Sequence, residues 1–199
     1  MADAGRVIAG SARSIRLDAP GEGTRPLGDR VKQTLFAILE PDLRGARVLD
    51  LFAGSGAAGI EALSRGAAHA TFIEKDPAAV RVIGSNLART HLADRADVIR
   101  AETLAWLRSA AAARGDATPI VAGARGPFRV AIVDPPYGQP DLLAAVLDGL
   151  GTLIEPGGRV VAKHFWRDHP PAHVGLLASE RERRFGETAL TFYRCQEQR

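Results

Sequence analysis

The chain has 199 residues, 46% of them apolar and 25% charged, with a formal net charge of +3. That make-up suits one ordinary globular domain, which at this length buries about 70% of its unfolded surface and needs no covalent staples. The single cysteine, Cys195, excludes a disulfide framework and a cysteine-rich zinc site, and no run approaches the ~18 apolar residues of a membrane span. The start, MADAGRVIAG, lacks the apolar core of a signal peptide, so a soluble cytoplasmic protein without a membrane partner is expected.

Charge is unevenly spread. Residues 1–48 carry eight basic and six acidic groups, residues 49–158 ten and twelve, and residues 159–199 eight and five. Basic ends around an acidic middle fit contact with a polyanion at the ends and chemistry in the middle, although statistical scatter accounts for the same pattern. Of the 26 basic residues 23 are arginine, the side chain suited to bidentate phosphate contacts, although genome composition in an alanine-rich chain gives the same excess.

In chain order, RVIAGSARSIRLDAP predicts two short strands, Val7–Ala9 and Ile15–Leu17, around a small-residue turn, and GEGTRPLGD predicts a loop. From Asp29, the spacing of Val31, Leu35, Phe36 and Leu39 predicts a helix whose continuation Pro41 limits. Five apolar strands of the buried parallel type follow: RVLDLF, ATFIEKD, ADVIRA, GPFRVAIVD and GGRVVAKHF. Helices are predicted between them through Ile60–Ser64, across Ala78–Leu92, around Leu104–Ala113 and along DLLAAVLDGLGTLI. Strand alternating with helix four times predicts a doubly wound α/β sheet, and LASERERRF and ETALTFYRC, parted by Gly186, predict a closing antiparallel hairpin. Arg114–Gly126 is rich in small residues and predicts a surface loop.

Gly54, Gly56 and Gly59 form G-x-G-x-x-G between a strand and a helix, with Glu74 twenty residues beyond Gly54 at the next strand end. Spacing and context fit a dinucleotide fold with a ribose-binding acid. Asp50 argues against a dinucleotide. A carboxylate ~5 Å from a pyrophosphate at an effective dielectric near 20 is opposed by about 3 kcal/mol before screening. S-adenosylmethionine has no phosphate and carries an ammonium and a sulfonium, so an acid there attracts it while loop amides meet its carboxylate. Glu74 can then accept both ribose hydroxyls, and Glu102 lies near the adenine or the pocket rim. The competing reading for both glutamates is a charge at a helix start.

After the fourth strand stands Asp134-Pro135-Pro136-Tyr137. In an open parallel sheet this segment and the glycine loop face one crevice. The prolines stiffen the backbone and remove two amide donors, leaving the Asp134 carboxylate and the Pro135 carbonyl as acceptors beside an aromatic ring. Such a surface suits the exocyclic amine of a nucleobase. Two acceptors on its N–H groups favour a pyramidal nitrogen whose lone pair points at a methyl donor, and Tyr137 can stack on the base for about 1–3 kcal/mol. A rigid strand-to-helix turn is the bland alternative, and it weakens beside Asp50, the glycine loop and Glu74 at successive strand ends.

The tetrapeptide resembles the (D/N/S)-P-P-(Y/F/W) motif of amino-directed methyltransferases. With RVIAGSARSIRL, GTRPLGDRVKQTLFAIL, ARVLDLFAGSGAAGIEALSRGA, TFIEKD and RERRFGETALTFYR, the chain resembles the RsmD family over nearly its whole length. That resemblance implies a Rossmann-like class I methyltransferase sheet at 29–199, mostly parallel with an antiparallel C-terminal hairpin, preceded by an N-terminal β-hairpin extension at 1–28. It implies methylation by S-adenosylmethionine of a guanine N2 amine in 16S ribosomal RNA, on the RNA or on the small subunit, by a monomer without a metal.

Carried over residue by residue, Asp50, Phe52, Ala53, Gly54, Gly56, Glu74, Lys75 and Glu102 would form the cofactor site. Asp134, Pro135, Pro136 and Tyr137 would hold the base. Thr24, Arg25, Pro26 and Arg30 would close over the site or touch RNA, with Arg13 and Arg16 as phosphate contacts. The chain departs from the family in three places: Lys163 where similar proteins often place an acid, LGDR in place of TTDR before the first helix, and the long Arg114–Gly126 loop.

Three rivals remain open: adenine-N6 methylation of RNA or DNA, a nicotinamide-dependent oxidoreductase, and a non-catalytic RNA-binding assembly factor. His164, His169 and His173 near Trp166 lack ligand spacing and read as a solvated loop, and Cys195 as a packed strand residue. Arg181, Arg183 and Arg184 are candidates either for RNA contact or for an exposed polar face.

Overall fold

The apolar runs pair side by side in a computed structural model that describes residues 2–21, 28–112 and 127–197. Strands β3 (Arg47–Leu51), β4 (His69–Glu74), β5 (Ala96–Arg100), β6 (Phe128–Val133) and β7 (Ile154–Phe165) are parallel. Strands β8 (His173–Val174), β9 (Leu177–Phe185) and β10 (Thr188–Cys195) complete an eight-stranded sheet of order β5-β4-β3-β6-β7-β10-β9-β8, with β10 antiparallel to both neighbours. The chain winds outward from β3 to β5 and returns beside β3 as β6. The order therefore reverses between β3 and β6, where open α/β sheets form their binding crevice.

Alternate strand residues feed two cores. Val48, Val130, Ile132, Val161, Leu190 and Phe192 face helices α1 (Asp29–Leu43), α2 (Ala57–Ser64) and α3 (Pro77–Arg89). Leu49, Leu51, Ala131, Val133, Val160 and Ala162 face α4 (Thr103–Ala112) and α5 (Pro140–Leu150). Burial on both faces explains why these strands read as continuous apolar runs. Among the described residues no helix is long and apolar enough to cross a membrane.

The N-terminal hairpin differs from its expected limits: β1 is Ala2–Arg6 and β2 is Arg16–Ala19. The segment after β1 turns away because the amides of Ile8 and Ala9 donate to the buried Glu61 carboxylate on α2. The turn is pressed so closely on α2 that a Cβ on Gly10 would lie 1.8 Å from the Ser64 carbonyl oxygen. Buried Asn86 on α3 accepts from the Asp18 amide and donates to the carbonyls of Asp18 and Ser55, tying hairpin and glycine loop together.

Helix α1 runs through Pro41 to Leu43 despite the lost donor. Its last turn buries Leu43 and Asp42, and Asp42 is held in ion pairs by Arg129, Arg159 and Arg194. Helix α3 stops at Arg89, short of Leu92, because His91 takes φ +57° and the Leu92 amide turns back to the Leu87 carbonyl. Helix α5 ends at Leu150, and β7 begins at Ile154, earlier than expected. Strand β8 was not anticipated. The Arg114–Gly126 loop lies outside the described residues, as do Thr24, Arg25 and Pro26.

Candidate active site

The carboxyl ends of β3 to β7 open on a cleft of about 610 Å³. Expected residues that line it are Phe52, Gly54, Glu74, Lys75 and Glu102 on one side and Asp134, Pro135, Pro136 and Tyr137 on the other. Lys163, Thr103, Gln139 and Leu142 line it as well and were not singled out as site residues.

The glycine loop is held from below. Phe52 adopts φ +62°, uncommon for a side chain with a Cβ, and turns the chain sharply out of β3. The Ala53 amide donates to the Ile73 carbonyl at 3.1 Å, and the Gly56 amide to the Ala53 carbonyl at 2.7 Å. Gly56, at φ +77°, opens α2 in a left-handed conformation that a side chain would strain. Gly59 serves packing: a Cβ there would meet the Phe72 ring at 2.3 Å.

Two carboxylates hold backbone amides here, one in the loop and one in the first turn of α2. Glu74 accepts from Gly54 at 2.8 Å through Oε2 and from Asp76 at 2.9 Å through Oε1. Asp50 accepts from Gly59 at 2.8 Å through Oδ2. Asp50, expected at the loop as an acid that attracts the ligand, meets the loop but is 2% exposed, lies under it and does not line the cleft. Burial, reinforced by the negative charges of Asp134 and Glu74, pushes its carboxyl up to about 8 against the pull of the Gly59 N–H. Its carboxyl thus acts on the start of α2, below the loop. Ala53 and Gly56 likewise shape the loop from outside the cleft lining.

Glu102 combines both readings considered for it. It lines the cleft, and its oxygens accept from the amides of Leu104 and Ala105 at the start of α4.

On the other side, the Asp134 amide reaches the Leu51 carbonyl at 3.4 Å and extends the β3–β6 ladder by one residue. The two prolines that follow have no N–H to continue it. Lys163 Nζ lies 2.7 Å from Asp134 Oδ1 and 5.0 Å from the Tyr137 ring centroid, so one ammonium pairs with the acid and covers the ring. Burial raises the Asp134 carboxyl above its ordinary value, and Lys163 opposes that rise. Tyr137 is 44% exposed, and its hydroxyl bonds Thr188 Oγ1 at 2.7 Å, fixing the ring between β6 and β10.

Of the expected RNA contacts, the three among the described residues, Arg13, Arg16 and Arg30, are not part of the cleft lining. Arg13 is exposed on the hairpin turn, beside the end of α2 farthest from the glycine loop. Arg16 pairs with Asp3 at 3.0 Å, and Arg30 is exposed on the first turn of α1. His164 departs from the solvated-loop expectation: it is a buried residue of β7, bonded to Thr191 Oγ1 and the Phe165 carbonyl. Cys195 is buried on β10.

The family model described as conserved hypothetical protein 95 matches residues 5–194. The Bacillus subtilis protein named "Putative rRNA methyltransferase YlbH" is 38% identical over 192 residues, which span 95% of this chain and 98% of that protein. "Ribosomal RNA small subunit methyltransferase D" of Escherichia coli K12 is 38% identical over 154 residues, 77% of this chain and 68% of that protein. The solved structure of the Escherichia coli protein yhhF matches with a TM-score of 0.80 at 32% identity, covering 97% of this chain and 98% of that one. The fold is that of the class I S-adenosylmethionine-dependent methyltransferases. By motif, family model and full-length relatives, the chain belongs to the RsmD family of methyltransferases.

Proposed function

We propose that this enzyme transfers a methyl group from S-adenosylmethionine to the exocyclic N2 amine of a guanine in small-subunit (16S) ribosomal RNA. The observation that carries the reading is one cleft with a carboxylate-clamped glycine loop on one wall and an acceptor-only Asp134-Pro135 pair on the other. The printed name of the Escherichia coli relative, a small-subunit rRNA methyltransferase, supports the RNA class.

The residues present fit the cofactor. Glu74 stands at the end of β4 with its carboxylate against the loop, where it can trade the Gly54 amide for ribose hydroxyls. Phe52, Gly54, Lys75 and Glu102 complete that wall, and buried Asp50 keeps the loop in shape through the Gly59 amide. When bound, the cofactor supplies an electrophilic methyl on a positively charged sulfur.

The chain's own part is to prepare the nucleophile. Lys163 occupies Oδ1 of Asp134, leaving Oδ2 and the Pro135 carbonyl to accept the two N–H groups of the amine. Gripping both draws the nitrogen lone pair out of conjugation, and Tyr137, held by Thr188 and Lys163, gives the turned-out base a surface to stack on. As the N–C bond forms at the expense of the methyl–sulfur bond, leaving an uncharged thioether, the nitrogen takes on the positive charge and releases one proton to Asp134 or to water. Positioning and charge complementarity supply most of the acceleration. Thr24, Arg25, Pro26 and Arg30 are assigned to closing over the bound base or to RNA contact. Arg13 and Arg16 are assigned to phosphates farther off, and the enzyme is assigned to the cytoplasm as a monomer.

The test is transfer of labelled methyl to small subunits from cells lacking the enzyme, with protein-free ribosomal RNA and duplex DNA alongside. Label recovered as N2-methylguanine on subunits or rRNA is expected. Recovery as N6-methyladenine would overturn the base, and no transfer to any acceptor would overturn the reading. Glu74→Ala should weaken cofactor binding about 10–100-fold by calorimetry, the worth of a charge-assisted hydrogen bond pair.

A further inference from the structure

Beside the cleft, on the face of the sheet that α1 covers, lies a second groove of about 540 Å³ between α1 and β9. Gln33, Thr34, Ala37 and Ile38 form its helical wall, and Arg159, Arg181 and Arg183 the other. We propose that this groove carries the sugar–phosphate backbone of the RNA whose guanine enters the cleft, with Arg181 and Arg183 on consecutive phosphates. This rests on the RNA reading above and adds a path for the strand.

Register fixes the geometry. Arg183 pairs across β10 with Leu190, and Leu190 across β7 with Lys163, so the three share one row and one face. With neighbouring strands ~4.8 Å apart, the backbone of Arg183 lies about 10 Å from that of Lys163, the partner of Asp134. Arg181 pairs with Phe192, which pairs with Val161, one row further along the same face. Two residues on one face of a strand are ~6.7 Å apart, near the spacing of successive phosphates on one nucleic-acid strand. Arg159, four residues before Lys163 on β7, extends the groove by about 13 Å toward the foot of the sheet.

The charges differ along the groove. Arg159 is committed to Asp42 and Glu180. Arg181 and Arg183 are exposed, and among the described residues neither forms an ion pair with a carboxylate. From Ser179 to Arg184, β9 is open to solvent on both faces, the segment of the sheet where paired helices give no cover. Guanidiniums held on a rigid strand, opposite a helix wall offering Ala37, Ile38 and the polar tips of Gln33 and Thr34, match a phosphate chain with sugars between.

The experiment measures filter binding of protein-free 16S rRNA by the full chain across a salt series, a readout that needs no turnover. Arg181→Ala/Arg183→Ala is compared with wild type and with Arg108→Glu, an exposed site on α4 across the sheet that loses the same charge. The double variant should bind about 10-fold more weakly, with the slope of log K against log salt smaller by about 1.4–1.8, the release expected for two phosphates. The KM for RNA should rise by a similar factor while kcat at saturation holds. An unchanged slope, or an equal loss in Arg108→Glu, overturns the proposal. So does weaker binding to assembled subunits with none to free rRNA, which would put a ribosomal protein in the groove. If wild type binds rRNA through these arginines yet methylates nothing, the groove stands and the function reading falls.

Discussion

Two buried aspartates at opposite ends of the sheet are treated in opposite ways. Asp42, at the foot, is 5% exposed by side chain and meets Arg129, Arg159 and Arg194, with Glu155 and Glu180 closing the network. Asp50, at the cleft end, is as deeply buried but has one backbone amide as its partner and two further carboxylates as its electrostatic neighbours. The foot is neutralised from within and holds the last turn of α1 in place across Pro41. Around the cleft Glu74, Glu102 and Asp134 meet only Lys75 and Lys163 as lining cations among the described residues, and Lys163 is paired with Asp134. A buried acid with its own cations is structural. A cluster of acids short of cations, at a strand-order reversal, is prepared for a cationic ligand.

Substitutions at the two ends should separate cleanly. The largest effect is expected from Asp134→Ala: kcat falls about 10²–10³-fold, as for removal of one preorganised polar group, with cofactor affinity unchanged by calorimetry. Equal loss of cofactor binding would place Asp134 on the wrong wall. Asp42→Ala should cost about 2–4 kcal/mol in denaturant unfolding, somewhat below the toll for a fully buried pair because its arginines are partly exposed. The kcat/KM of the folded variant should stay as in wild type, and a selective fall in kcat would break the contrast between the two ends.

Asp50 gives a pH test of the same contrast. Its folded carboxyl sits at about 8 against 3.8 for the ordinary group, so between those values the folded state holds a proton that the unfolded state has lost. This group's contribution is therefore fully present below about pH 4 and lost as pH rises through 8. The melting temperature of Asp50→Asn, in cofactor-free protein, should gain on wild type steadily from pH 5 to about pH 8 and level off above it. Parallel curves would show Asp50 ionised throughout.

The smallest effect belongs to Lys163→Met. Without the ammonium, the Asp134 carboxyl rises further, and the acid limb of the kcat profile moves to higher pH, while Lys163→Arg keeps it in place. An unmoved limb with lower kcat would assign Lys163 to the Tyr137 ring alone.

Most of the frame is legible in the chain. Apolar runs such as Val48–Leu51 and Phe128–Val133 mark strands covered on both faces, and their order with the intervening helices leads to the observed sheet. The glycine loop, Glu74 and the Asp134 tetrapeptide follow strand ends and therefore reach one edge. Errors came where a side chain far along the chain took over a local decision. Glu61 draws the amides of Ile8 and Ala9 out of the expected strand, and the Asp42 network carries α1 past Pro41.

The sheet, the loop and the acceptor pair are legible in the chain, because each is written in a pattern of neighbouring residues whose period or turn chemistry has one outcome. That Lys163 meets Asp134, that Asp50 is shut away from the cleft, and that Arg181 and Arg183 share a groove with α1 emerges only on folding. Those facts depend on strand order and register, through which residues distant in the chain come to share a row, a face or a charge.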